Sequence, residues 1–207
     1  NIENMILTNE AKTAITFVTL DEDGDRSFDF YIDPSADRFL RPQELDKKLF
    51  ENNKVFHFGS ISLIDEPARS ATEKAVEMAE ENGMLISYDP NLRMNLWDSA
   101  EEAKRRIVSM LARTDILKVS EEELEFITGE KDIEKGAQKI KKDYDIPVIF
   151  ITCGSEGSYY YKNELGFVPA FKVDAVDTTG AGDAFMSAVL YNFNKNEINL
   201  DVETTLL

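Results

Sequence analysis

The chain has 207 residues, 43% of them hydrophobic, with six prolines and ten glycines, which sets it among globular proteins with room for one sizeable core and apart from disordered ones. Forty acids against 23 bases give a net charge of −17, which opposes nonspecific binding to nucleic acid or to an anionic membrane. No apolar run nears the ~18 residues of a membrane span, no signal-peptide pattern is seen, and one cysteine (Cys153) with one histidine (His57) excludes an intrachain disulfide framework and a His/Cys zinc site, so a cytoplasmic protein is expected.

Residues 13–20 and 27–32 are rich in β-formers, with Phe28, Phe30 and Ile32 alternating with Asp29 and Tyr31. The acidic Gly-containing stretch 21–25 between them predicts the turn of a hairpin. Beyond Pro34 short apolar runs alternate with helical stretches. Strands are expected at 55–58, 84–88, 116–119 and 148–152, and helices at 66–82, 99–113, 120–128 and 132–144. Two more strands, 157–161 and 165–168, precede a helix from 183. This alternation predicts an α/β protein with a parallel sheet and helices on both faces. Ser99 and Glu102 are spaced as a capping box. Ala100, Ala103, Ile107, Met110 and Leu111 share one helical stripe, as do Ile133, Ala137, Ile140 and Tyr144.

The most informative string is Asp-Thr-Thr-Gly-Ala-Gly-Asp-Ala-Phe at residues 177–185. Gly180 and Gly182 allow close approach of a ligand to the backbone, and the apolar run after them starts a helix. Free N–H groups and the positive end of the helix dipole then converge on one spot, which suits a phosphate or an oxyanion. A carboxylate there, Asp183, is out of place unless it does chemistry such as accepting a proton. The alternative is a tight turn with a Thr N-cap and no ligand.

Residues 177–183 match in full the signature Asp-Thr-x-Gly-Ala-Gly-Asp of the PfkB (ribokinase-like) family of sugar and nucleoside kinases, which the chain resembles over nearly its whole length. The resemblance implies a ribokinase-like parallel-sheet sandwich at residues 35–207 with a small, partial β-lid hairpin at 1–34. It implies that Gly180, Ala181 and Gly182 form the anion hole for the transferring phosphoryl group, that Asp183 is the catalytic base, and that Thr178 lies at the nucleotide. ATP and Mg²⁺ are the implied cofactors. Asp177 and Thr179 are implied ligands of a monovalent cation such as K⁺. Family members are longer at both ends, so these residues are expected to be a middle and catalytic portion, without the N-terminal acidic and Gly-Gly sugar contacts.

Three further segments carry candidates. Asp89-Pro90-Asn91-Leu92-Arg93, with Leu96-Trp97, follows a strand, where ligands gather in α/β sheets. Arg93 offers a planar fork for a phosphate or a substrate oxygen, and an ordinary loop is the alternative. The string resembles fructokinases and 2-keto-3-deoxygluconate kinases, which implies that Asn91 and Arg93 meet the substrate. Ser120 and Glu123 are explained by a capping box alone; the family has Asn-x-x-Glu here, which implies that Glu123 helps to organise Mg²⁺ at the nucleotide and that Ser120, which stands where the family has Asn, lies toward the phosphates. Thr152, Gly154 and Gly157 read as a loop, and by resemblance as a nucleotide-contacting one. His57 reads as a structural residue at a strand end. The expected activity is ATP-dependent phosphorylation of a sugar hydroxyl, fructose first, with sugar and ATP as the partners and a homodimer formed through the lid. The alternatives are another kinase of the family, acting on 2-keto-3-deoxygluconate, ribose or a nucleoside, and a noncatalytic nucleotide-binding fragment.

Overall fold

The computed structural model describes residues 4–20, 26–31, 34–195 and 200. The strands β1 (Ile15–Leu20) and β2 (Arg26–Tyr31) pair antiparallel, with Ile15 opposite Tyr31 and Leu20 opposite Arg26. This is the expected hairpin; its acidic turn, residues 21–25, and Ile32 lie outside the described residues. The five-residue helix α1 (Lys47–Glu51) follows, capped by Asp46, whose Oδ1 accepts the Lys48 N–H at 3.0 Å. One turn and a half is too short for an apolar period to register, so the sequence pattern does not announce it.

Among the described residues the main sheet has six strands in chain order: β3 (Val55–Phe58), β4 (Leu85–Tyr88), β5 (Ile116–Ser120), β6 (Val148–Thr152), β7 (Gly157–Tyr161) and β8 (Leu165–Pro169). The first four are parallel. The last two run antiparallel, because the short turns before them can only reverse the chain. The crossovers carry α2 (Ala68–Glu81), α3 (Ala100–Leu111), and the pair α4 (Glu121–Thr128) and α5 (Ile133–Tyr144). The strand order never reverses among these strands. Right-handed crossovers therefore lay all four helices on one face.

Side-chain alternation divides the strands between two cores. Ile86, Tyr88, Leu117, Val119, Ile149 and Ile151 pack with the crossover helices. Ile116, Val148 and Phe150 point the other way, against Met186, Val189 and Phe193 of the last helix, α6 (Ala181–Lys195). Helices thus cover both faces, as expected, and α6 begins two residues before the predicted start. Two local readings are corrected. Ala100 is exposed and takes no part in the α3 stripe, whose buried members are Ala103, Ile107, Met110 and Leu111. The Ser99–Glu102 capping box is half made: Ser99 Oγ accepts the Glu102 N–H at 3.1 Å, but the Glu102 carboxylate is drawn to Arg105 and Arg106. No helix among the described residues is long and apolar enough to cross a membrane.

Candidate active site

Three neighbouring strands deliver their carboxyl ends to one rim. β4 leads into Asp89, β5 ends at Ser120 and β6 at Thr152. The start of α6 reaches the same rim. Between them lies a cavity of about 470 Å³.

The α6 wall is built by its turn. Gly180 has φ 80°, a left-handed conformation that glycine adopts without strain. The Ala181 N–H donates to the Thr178 carbonyl at 3.1 Å, and the Ala184 N–H to the Gly180 carbonyl at 2.8 Å. The Ala181 amide is thus engaged inside the turn, while the positive end of the helix dipole, and first-turn amides that lack a carbonyl one turn back, suit an anionic ligand. Gly180, Ala181, Gly182 and Asp183 all line the cavity, and Asp183 is exposed to it.

Beside the α6 turn lies a buried ion pair. Lys118 Nζ lies 3.1 Å from Asp89 Oδ2 and 3.3 Å from Oδ1, with the two side chains 8% and 6% exposed. Burial pushes the Asp89 carboxyl above its ordinary range, and Lys118 and the Asn91 N–H pull it back. Asn91 sits at φ 48°, a conformation that Asn tolerates better than most residues. Glu123 joins two walls. Its Oε1 accepts the Leu92 N–H at 2.6 Å and its Oε2 the Ser120 N–H at 2.8 Å, while Ser120 Oγ accepts the Glu123 N–H at 3.2 Å. The expected capping box is complete, and it is also a staple to the loop after β4. Burial raises the Glu123 pKa, against the pull of these two amides.

The hairpin reaches this site. The Arg93 guanidinium lies 5.5 Å from the centroid of the Phe28 ring on β2, within cation–π range. Asn95 Nδ2 donates to the Phe28 carbonyl at 3.3 Å.

Of the residues singled out in the sequence, Asn91, Arg93, Ser120, Glu123, Thr152, Thr178, Gly180, Ala181, Gly182 and Asp183 line the one cavity. Asp177 and Thr179 stand just before it, linked by a 2.8 Å bond from the Thr179 N–H to Asp177 Oδ1. Gly154 lies in the β6–β7 turn and Gly157 opens β7, both outside the lining. Gly157 has a packing reason to be glycine: at φ 136° a Cβ would sit 2.2 Å from the Val168 carbonyl oxygen on β8. His57 has Nδ1 2.9 Å from Ser87 Oγ on the neighbouring strand β4. Sequence reasoning missed Lys118 and Glu122, and gave Asp89 no role beyond ending a strand. A usable signal existed for Lys118, a charge inside the apolar strand pattern of residues 116–119.

Among the described residues, no three acidic, histidine or cysteine side chains gather to hold a metal ion. The lining has four acids (Asp89, Glu122, Glu123, Asp183) and two bases (Arg93, Lys118) around helix-terminal amides. That combination suits a polyanion that brings a cation with it.

The chain is 51% identical over 181 residues to Fructokinase-2 of Solanum habrochaites, covering 87% of this chain and 55% of that one. It is 48% identical over 197 residues to Fructokinase-2 of Solanum lycopersicum, covering 95% and 60%. Among solved structures, the fructokinase of Vibrio cholerae with fructose, ADP and calcium bound superposes with a TM-score of 0.80 at 36% identity, covering 93% of this chain and 62% of that one. The fructokinase of Xylella fastidiosa with bound ATP gives 0.85 at 30% identity, covering 96% and 64%. The fold is therefore ribokinase-like, and the chain spans about 60% of the length of the curated relatives it matches. Residues 1–206 match the pattern of the pfkB family carbohydrate kinases, and with that match, the cavity at the sheet's carboxyl rim and the fructokinase likeness in hand, the chain belongs to that family.

Proposed function

We propose that the chain forms the catalytic portion of an ATP-dependent sugar kinase, with fructose as the first substrate to test. The observation that carries this reading is the Asp183 carboxylate set into a Gly-rich helix N-terminus that opens on the cavity. Asp183 takes the proton of the sugar hydroxyl as that oxygen bonds to the γ-phosphorus and the β,γ-bridging P–O bond breaks, its electron pair leaving on ADP. The turn at residues 180–182, at the positive end of α6, holds the oxygens of the transferring group, where charge stabilisation is the main protein contribution. Asn91 and Arg93 orient the sugar. Ser120, Thr152, Gly154, Gly157 and Thr178 lie on the nucleotide side.

Nucleotide-bound Mg²⁺ neutralises phosphate charge in such a transfer. The few hard carboxylates of this cavity fit an ion that enters with ATP and keeps much of its water shell. Glu123 has both oxygens engaged by backbone amides and retains lone pairs for water on that ion. Asp177 and Thr179 are assigned to a monovalent cation such as K⁺. The region 1–34, which contains the strands β1 and β2, is assigned to part of a lid. Its exposed apolar side chains, Ile15, Phe17 and Tyr31 at 57%, 55% and 68%, favour pairing of two copies through that lid.

The test is a coupled fructokinase assay, run on the 207-residue chain and on any longer translation product that contains it, beside calorimetric titration with ATP·Mg²⁺. Saturable fructose phosphorylation that requires Asp183 supports the reading. Absence of both nucleotide binding and sugar phosphorylation in every form refutes it.

A further inference from the structure

Lys118 is the odd residue of β5. Its neighbours in the strand, Ile116, Leu117 and Val119, are fully buried and apolar. Alternation points its side chain toward the face that α6 covers. A lysine is rarely buried unless paired, and a buried ion pair is often no more stable than apolar side chains of the same volume. Structural stability alone is thus a weak reason for the Asp89–Lys118 pair. Its position gives another. Lys118 lines the cavity, and a Cβ built on Gly182 would lie 3.2 Å from Lys118 Nζ. The ammonium is therefore packed against the glycine turn at the start of α6, and the lack of a side chain at Gly182 is what leaves room for it. Asp89 holds the ammonium from the other side at 3.1 Å and lines the same cavity.

We infer that Lys118 is the cation that meets the phosphoryl oxygens at the α6 turn, and that Asp89 is a positioning residue that keeps the ammonium aimed there. The first-turn amides supply directional donors, and Lys118 adds a full charge on a flexible stem that can move from Asp89 to a phosphate oxygen. This rests on the reading of the α6 turn as a phosphate site.

The experiment compares the wild-type chain with Lys118→Met and with the double variant Asp89→Asn/Lys118→Met. Affinity for inorganic tripolyphosphate, with and without Mg²⁺, is measured by calorimetry, thermal unfolding on the same preparations, and sugar phosphorylation in parallel. Lys118→Met strands a buried carboxylate and is expected to melt lower. The double variant removes that charge and recovers the melting temperature. Both are expected to bind tripolyphosphate roughly 10- to 100-fold more weakly, the loss of one charged hydrogen bond. A double variant that recovers affinity as well as stability overturns the inference, because Lys118 would then serve only to neutralise Asp89. So does a wild-type chain that binds no tripolyphosphate. A wild-type chain that binds it in a Lys118-dependent way, yet phosphorylates no sugar, upholds this inference and sinks the kinase reading.

Discussion

Replacing Glu123 separates two roles that one carboxylate could hold. In the structure it accepts the Leu92 N–H at 2.6 Å and the Ser120 N–H at 2.8 Å, fastening the loop after β4 to the start of α4. A hydrogen bond to a charged group contributes about 1.5–3 kcal/mol, so the two together contribute about 3–6 kcal/mol before the cost of burying the carboxylate is subtracted. Glu123→Ala leaves both amides without an acceptor and relieves that burial, for a net loss of about 2–4 kcal/mol. At about 2–4 °C per kcal/mol for a chain of this size, the melting temperature should fall by about 4–16 °C. Glu123→Gln keeps one acceptor and turns an NH₂ toward the other amide, so a loss of about 1–3 kcal/mol is expected. The pH profile gives a second signature. Burial raises the Glu123 pKa above its ordinary 4.5, so the folded state holds this proton to higher pH than the unfolded state does. Wild-type stability therefore gains a falling component as pH rises from 4.5 through the raised value, and the Gln variant lacks it. Urea unfolding across pH 4–8 measures both effects. Variants within about 0.5 kcal/mol of wild type at every pH would refute the staple. If the Mg²⁺ requirement for turnover then rose without any stability change, the metal role alone would stand.

Asp183→Asn is expected to lower turnover by roughly 10² or more with little change in ATP affinity, since the helix amides remain; near-normal turnover would remove Asp183 as the base. Gly157→Ala should destabilise by at least about 3 kcal/mol, because its Cβ would meet the backbone of Val168 and Ala170 at 2.2 and 2.9 Å in a strained φ region. Gly154→Ala, with open space around its Cβ at φ 52°, should cost only about 1–2 kcal/mol; equal melting curves for the two variants would contradict this account. Burial and the nearby Glu121 and Glu156 push the Cys153 thiol up to about 11, so iodoacetamide at pH 8 should leave it unmodified until denaturant is added; rapid labelling of the folded chain, read by intact mass, would oppose this.

What could be read from the sequence was whatever local pattern encodes. Residues 116–119 and 148–152 are apolar runs bounded by turns or helix caps, and they are strands. The Gly-rich string at 177–183 marked the α6 start because glycine spacing and a following apolar helix are local facts. Ser120 and Glu123 were legible as a cap, since the capping box lies within four residues. The second partner of Glu123, the Leu92 amide, was not legible, because it comes from another crossover. Arg93 over Phe28 failed for the same reason: the contact joins a hairpin to a distant loop, and no periodicity records it. Lys118 was not legible as a site residue, because local pattern does not say which element covers its face of the strand. Only the arrival of α6 on that face makes it a buried group. Gly157 has a second reason to be glycine that local sequence cannot record, because the β8 backbone that excludes its side chain arrives from a later strand.

The charge of the whole chain and the chemistry of the cavity pull in opposite directions, and distance decides between them. A net charge of −17 should repel a polyphosphate, but surface acids act through water and are screened beyond about 8 Å at physiological salt. At 4 Å a unit charge contributes about 1 kcal/mol in bulk water and about 4 kcal/mol at an effective dielectric of 20. A handful of groups within the cavity thus outweighs many outside it. Those groups are themselves unbalanced toward acid, four against two. Two of the acids are already committed, Asp89 to Lys118 and Glu123 to two backbone amides. Asp183 sits at the positive end of a helix dipole, which offsets part of its charge. The repulsion left for an incoming phosphate is therefore much smaller than the count of carboxylates suggests. On the proposed kinase reading a cation carried by the nucleotide would offset what is left, and any shift of the Lys118 ammonium from Asp89 toward the α6 turn would trade one of these pairings for the other.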